Sequence, residues 1–170
     1  ALDRCWDDFQ RQIIEPAFRR EVPPLARLER FFALLYEQQL QNHQRTGQVY
    51  GCFFGSLGNE LSGQDEAIRS RAELFLGRVS EAFHQALKEA RERGEIRLAD
   101  AAVASRAICA LMEGMLLQAK VANHPEVLRD LAPQVFHLLG VGAGMVQTPS
   151  PQTEPSAPSA KVMETLDFLD

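Results

Sequence analysis

Glu113 has the setting that most suggests chemistry, a carboxylate between Met112 and Gly114 in an otherwise apolar run. Buried there, it could hold its proton above the ordinary carboxylate range and act as an acid. Arg106, Glu113 and Lys120 are spaced seven apart, however, and share one helix face, so the expected role is a half-exposed polar row. Glu60 beside Asn59 reads the same way. Cys52 lies between Gly51 and Phe53 with no basic neighbour in sequence to lower its pKa, and an inert buried thiol is expected rather than a redox sensor. His43, His84, His124 and His137 are isolated, and no cysteine has a second cysteine or a histidine at ligand spacing. No metal is expected on that pattern. The chain has no Gly-x-Ser-x-Gly elbow, phosphate loop or dinucleotide fingerprint, and no strand precedes Gly55-Ser56-Leu57-Gly58. Neither enzymatic activity nor a cofactor is therefore expected.

The elements that must position these residues are bounded by composition. A chain of 170 residues with 45% hydrophobic content can bury one substantial core. A net charge of −5, with 18 basic residues scattered among 23 acidic ones, provides no field for a polyphosphate, so nucleic acid is not an expected direct partner of this stretch. Cys5, Cys52 and Cys109 are odd in number and widely spaced, which suits reduced thiols better than a disulfide framework. No uninterrupted apolar run reaches membrane-spanning length and the start lacks the form of a signal peptide, so the expected location is the cytoplasm, with no membrane partner. Ala1 stands where a helix is already under way without a cap, and the expectation is that a segment upstream is missing.

Hydrophobic spacing predicts an all-α antiparallel bundle of about six helices. Leu2, Trp6, Phe9 and Ile13 mark a first helix that Pro16 should end. A second runs from Pro23-Pro24 to Gly47, with Leu25, Leu28, Phe32 and Leu35 on its apolar face. Gly51, Gly55 and Gly58 fall on one face of a third, beside Phe54, Leu57 and Leu61, where either a tight helix crossing or a ligand must come close. Asp65 caps the longest helix, which stops at Gly94. Asp100 caps a fifth with two apolar faces, a small-residue seam of Val103, Ala107, Ala110, Gly114, Leu117 and Val121 and a bulkier stripe of Ala104, Ile108, Leu111 and Met115. The last helix begins at Asn123 and Pro125 and should kink at Pro133. Residues 1–146 are expected to form the helical domain. Residues 147–170, with Pro149, Pro151, Pro155 and Pro158 among serine and threonine, are expected to form a flexible tail with an acidic-apolar terminus.

The stretch Tyr50-Gly51-Cys52-Phe53-Phe54-Gly55-Ser56-Leu57-Gly58-Asn59-Glu60-Leu61-Ser62 is followed by a long helix ending Ala90-Arg91-Glu92-Arg93-Gly94-Glu95-Ile96, and later by Glu113-Gly114. Over residues 1–144 this order resembles the C-terminal domain of TetR-family transcriptional regulators, without the N-terminal helix-turn-helix. The resemblance implies a helical pocket for a small effector and a homodimer made by the last two long helices. It also implies DNA binding only through an upstream domain, controlled by movement of the first helix. The expected function is effector sensing and dimerisation in a cytoplasmic bacterial regulator, a repressor released from DNA by a small apolar or aromatic ligand. Phe32, Tyr36, Phe54, Leu57, Phe75, Phe83, Leu111 and Met115 are candidates to line the pocket, with core filling as the alternative for each. Candidates for the dimer interface are Val103, Ala107, Ala110, Gly114, Leu117, Leu128, Leu131, Val135 and Leu138. The other reading is a helical adaptor that binds protein partners and no small molecule, with Leu166 to Asp170 as its docking motif.

Overall fold

A computed structural model describes residues 2–141. The predicted Pro-rich tail and its acidic-apolar terminus lie outside the described residues. Within them the chain forms six helices and no strand, a bundle of the expected class.

The first helix, α1, joins Leu2–Phe9, a π-turn Gln10–Ile14 and Glu15–Ala17 in one continuous path. Pro16 therefore does not end the helix where expected. The wider turn before it, in which the Glu15 N–H reaches back to the Gln10 carbonyl, relieves the crowding that a proline ring imposes on the preceding turn. Helix α2, Pro24–Thr46, starts on a proline whose missing N–H has no helical partner to lose, and ends on Gly47 at φ 75°. Arg27 fixes the turn between these helices. Its guanidinium donates to the carbonyls of Val22 (2.7 Å) and Arg20 (2.9 Å) and pairs with Glu89 (2.6 Å).

Helix α3 spans Phe53–Leu61, α4 Glu66–Glu92 and α5 Ala101–Ala122. Asp65 and Asp100 cap α4 and α5 as predicted, each carboxylate accepting from two backbone N–H groups. After α5 the chain makes a 3₁₀ segment, Pro125–Asp130, before the short α6, Leu131–Leu138. The break expected at Pro133 thus falls at Leu131. Pro133 itself sits in the first turn of α6, where a proline costs least.

Helices α2, α4 and α5 enclose a core of aromatic rings. Phe31 and Phe83 meet edge to face with centroids 4.9 Å apart, and Phe18 and Phe32 pack against the same pair. Phe32 and Phe83 are thereby committed to the core. On α5 the core-facing residues include Ser105, Ile108, Cys109, Met112, Leu116 and Ala119; Ile108 belongs to the bulky stripe read in the sequence, while Ser105, Cys109, Met112 and Leu116 lie one position on from it. Leu111 and Met115 flank that face, half-buried.

Candidate functional site

The segment 47–52 between α2 and α3 is pinned on both sides by amides. Gln39, 2% exposed, donates from Nε2 to the Gly51 carbonyl (3.2 Å) and accepts the Gly51 N–H on Oε1 (3.0 Å). Asn123, which ends α5 at φ 50°, accepts the Val49 N–H (2.8 Å) and donates to the Gly47 carbonyl (2.9 Å). Gly51 has φ 67° and lies before α3, not within it, which corrects the expected three-glycine face. A Cβ there would stand 3.2 Å from the Leu116 carbonyl oxygen, so the positive φ and the close approach to α5 both call for glycine.

Cys52 then caps α3, its sulfur accepting the Gly55 N–H at 3.2 Å. Helix α3 lies across α5 and α4 through its glycines. A Cβ on Gly55 would run into the Glu113 carboxylate, and one on Gly58 would meet the Ala72 side chain at 3.4 Å. Between the two readings of these glycines, the structure has the helix crossing at Gly58 and the approach of a polar side chain at Gly55.

Glu113 is half-buried, as the row implied, but its carboxyl lies against α3 and not in solvent. Arg106 and Lys120 are exposed, but α3 covers the turn between them. The Lys120 ammonium is turned to the Ser56 hydroxyl (3.2 Å). Buried beneath Gly55, the Glu113 carboxyl has one oxygen, Oε1, with no hydrogen-bond partner. Burial pushes its pKa up, opposed more weakly by hydrogen bonding with the Cys52 thiol. The same burial, reinforced by the negative charge of Glu113, pushes Cys52 far above the ordinary thiol range. Cys109 is pushed up to about 11, again chiefly by burial. Neither thiol is poised as a nucleophile at neutral pH, in keeping with the inert reading of Cys52.

Glu113 borders a cavity of about 750 Å³. Its walls come from α1 through Phe9 and Gln12, from α2 through Leu35 and Gln39, and from the stacked rings of Phe54 and Phe75, whose centroids lie 4.2 Å apart. Met112 and Leu116 line it beside Glu113. Of the predicted pocket residues, Phe54 and Phe75 line this space. Phe32 and Phe83 fill the aromatic core, and Tyr36 accepts a hydrogen bond from Arg129 (2.8 Å) at the α2 surface. Leu57, Leu111 and Met115 are half-buried elsewhere. The contribution of α1 was missed for want of any local signal. Gln39 carried one, an amide four residues after Leu35 on an apolar face.

The predicted interface residues divide in two. Val103, Leu117 and Leu138 are 51%, 55% and 67% exposed, and with Ala107, Ala110 and Gly114 they leave an apolar surface on the outside of α5 and α6. Leu128, Leu131 and Val135 are at most 2% exposed and belong to this chain's own core, because the 3₁₀ segment turns them inward. By length and composition alone α5 is apolar enough to cross a bilayer, yet its inner face is packed against the core. Among the described residues no cluster of acidic, histidine or cysteine side chains could hold a metal ion.

A family model for the tetracyclin repressor-like C-terminal domain matches residues 24–135. The chain belongs to the TetR family. Among similar proteins, the HTH-type transcriptional repressor DhaR of Mycobacterium sp. (strain GP1) is 28% identical over 146 residues, covering 82% of this chain and 67% of DhaR. The crystal structure of the reduced form of E. coli NemR shares the fold, with a TM-score of 0.65 and 24% identity over 84% of this chain and 72% of NemR. The matched range of this TetR-family domain takes in α2 to α5 and most of α6, and so every wall of the cavity except α1.

Proposed function

We propose that this TetR-family domain senses a small apolar or aromatic effector in the cavity beside Glu113 and dimerises through α5 and α6. The reading rests chiefly on one observation: α1, the helix nearest the N-terminus, forms a wall of the cavity through Phe9 and Gln12. A ligand that touches Phe9 and Phe75 together favours one placement of α1 over another. A tenfold shift needs only about 1.4 kcal/mol of preference between the two arrangements. Through α1 that preference reaches a DNA-binding domain upstream, and the effector releases the regulator from its operator in the cytoplasm. That the similar protein DhaR is a transcriptional repressor supports repression over activation. The outer stripe of Val103, Ala107, Ala110, Gly114 and Leu117 would then face a second copy, within an interface of about 1,200–2,000 Å². Residues 1–146 act as the sensing domain, with 147–170 as a tail.

The test is a thermal-shift screen of the chain with apolar and aromatic small molecules. Ligands that raise the melting temperature should lose that effect in Phe54→Ala and Phe75→Ala while the dimer persists. A regulator joining this domain to a helix-turn-helix should release DNA with the same ligands. If no ligand stabilises the chain, or the stabilisation ignores Phe54 and Phe75, the sensing role fails and an adaptor role replaces it.

A further inference from the structure

Accepting the cavity as the effector site, we propose that its ligand is an amine, a protonated nitrogen carried on an aromatic or otherwise apolar body. Three features of the cavity lead there. Glu113 brings a carboxyl whose Oε1 lacks any hydrogen-bond partner, in a position where every other buried side-chain N or O atom among the described residues is satisfied. Such an orphan in a folded protein marks a place for a partner outside the chain. Phe54 and Phe75, stacked on each other, add an apolar aromatic wall to the same cavity.

The third feature is the charge around the carboxyl. Helix α1 brings Asp8 to the cavity, a second acid. Cys52 precedes α3 and Cys109 lies one turn before Glu113 on α5, both thiols held neutral by burial. Arg11 pairs with Asp8 (2.5 Å), Arg45 lines the cavity and donates to Asn42 (3.3 Å), and Lys120 is turned to Ser56 (3.2 Å), so among the described residues Glu113 is the one acid of the wall without a basic partner. An anionic group placed beside Glu113 would meet a carboxyl. A neutral hydroxyl would satisfy the hydrogen bond, and an amine would satisfy both hydrogen bond and charge. Folding has already taken Oε1 out of water, so part of the desolvation cost of such a pair is met before the ligand binds.

Three probes of one shape separate these cases: 2-phenylethylamine, 2-phenylethanol and phenylacetate, titrated calorimetrically into the 170-residue chain. At neutral pH the amine should bind about tenfold more tightly than the alcohol, and phenylacetate more weakly than both. Glu113→Gln, of the same shape, should remove the difference between amine and alcohol. A measurement that needs no variant is proton release. Burial pushes the Glu113 pKa up, so wherever its carboxyl is protonated in the free chain an amine that pairs with it expels that proton, and an alcohol need not. Titration in two buffers of different ionisation heat reads that proton directly. Amine binding no tighter than alcohol binding, or a preference that survives Glu113→Gln, would each overturn the amine assignment while leaving the cavity a ligand site. If none of the three probes binds at millimolar concentration, the cavity loses its sensing role and the assignment falls with it.

Discussion

The carboxylate of Glu113 occupies the space that a Cβ on Gly55 would need. One residue lacks a side chain so that the other can be buried, and the pair should behave as a coupled unit. Gly55→Ala should cost about 1–3 kcal/mol by overpacking in the native background. In a Glu113→Ala background the clash is gone, and the better helix propensity of alanine should make the same change neutral or stabilising by up to about 1 kcal/mol. Chemical denaturation of the four proteins of this cycle measures the coupling; equal costs in both backgrounds would mean that Gly55 is there for another reason.

The buried carboxyl also sets a pH dependence. Its folded pKa lies above the unfolded value, so the folded state binds a proton more readily than the unfolded chain does. Its contribution to stability is therefore fully present below the ordinary 4.5 and is lost as pH rises through the folded pKa. Glu113→Gln removes the titration. The variant should be more stable than the parent at neutral pH by about 1–3 kcal/mol, with the difference shrinking toward acid. Melting curves of both proteins across that range decide it, and a difference that does not vary with pH would place the effect elsewhere.

Gln39 closes both backbone groups of Gly51 from a position 2% exposed. Gln39→Leu keeps the bulk but strands a buried donor and acceptor, and should cost about 2–4 kcal/mol from the two lost hydrogen bonds. Gln39→Glu keeps the acceptor for the Gly51 N–H and loses only the donor, adding a carboxylate near a second carboxyl, so it should not restore stability. Hydrogen exchange at the Gly51 amide should quicken in Gln39→Leu before global unfolding does.

Gly114 has nothing within 4 Å of where its Cβ would stand, so a larger side chain there leaves the chain's own packing intact. If the outer stripe of α5 meets a second copy, Gly114→Leu should weaken association, and Leu117→Glu, placing a charge at a position 55% exposed, should abolish it. Sedimentation should then show a folded monomer whose melting temperature no longer depends on concentration. A parent chain that is monomeric at micromolar concentration would sink the interface.

How much of this was legible beforehand follows from which signals are local. Caps are local: Asp65, Asp100 and Gly47 each do their work within a few residues, and the element boundaries they mark were readable. The exposed seam of α5 was readable for the same reason, since spacing within one helix defines it. What α3 covers was not readable. The burial of Glu113 depends on a helix some sixty positions earlier lying across it, and sequence spacing alone placed the residue in a row with Arg106 and Lys120. The cavity likewise collects side chains from α1, α2, α3, α4 and α5, so its lining depends on how helices cross. Phe54 was found because it flanks the glycines, whereas Phe75, Phe32 and Phe83 were chosen alike as aromatic residues of the long helices and only Phe75 reaches the cavity.

Trp6 provides a reporter for the coupling on which sensing depends. It is the only tryptophan, it sits on α1, and its ring meets Phe75 edge to face with centroids 5.4 Å apart and Phe9 at 6.3 Å. Phe9 and Phe75 both line the cavity, while Trp6 itself stands outside it, with the Arg78 guanidinium 4.8 Å from its ring centre. A ligand entering beside Phe75 therefore reaches Trp6 only by moving the rings that hold it or α1 as a whole. Binding should change the position or intensity of Trp6 emission, with the same concentration dependence as the heat of binding. Arg78→Met removes the cation over the ring and should alter the resting emission without altering ligand affinity by more than about twofold, since Arg78 is not part of the cavity wall. Calorimetric binding that leaves Trp6 emission unchanged would mean that the cavity fills without moving α1, and the route from effector to DNA would have to run through the α5–α6 interface instead.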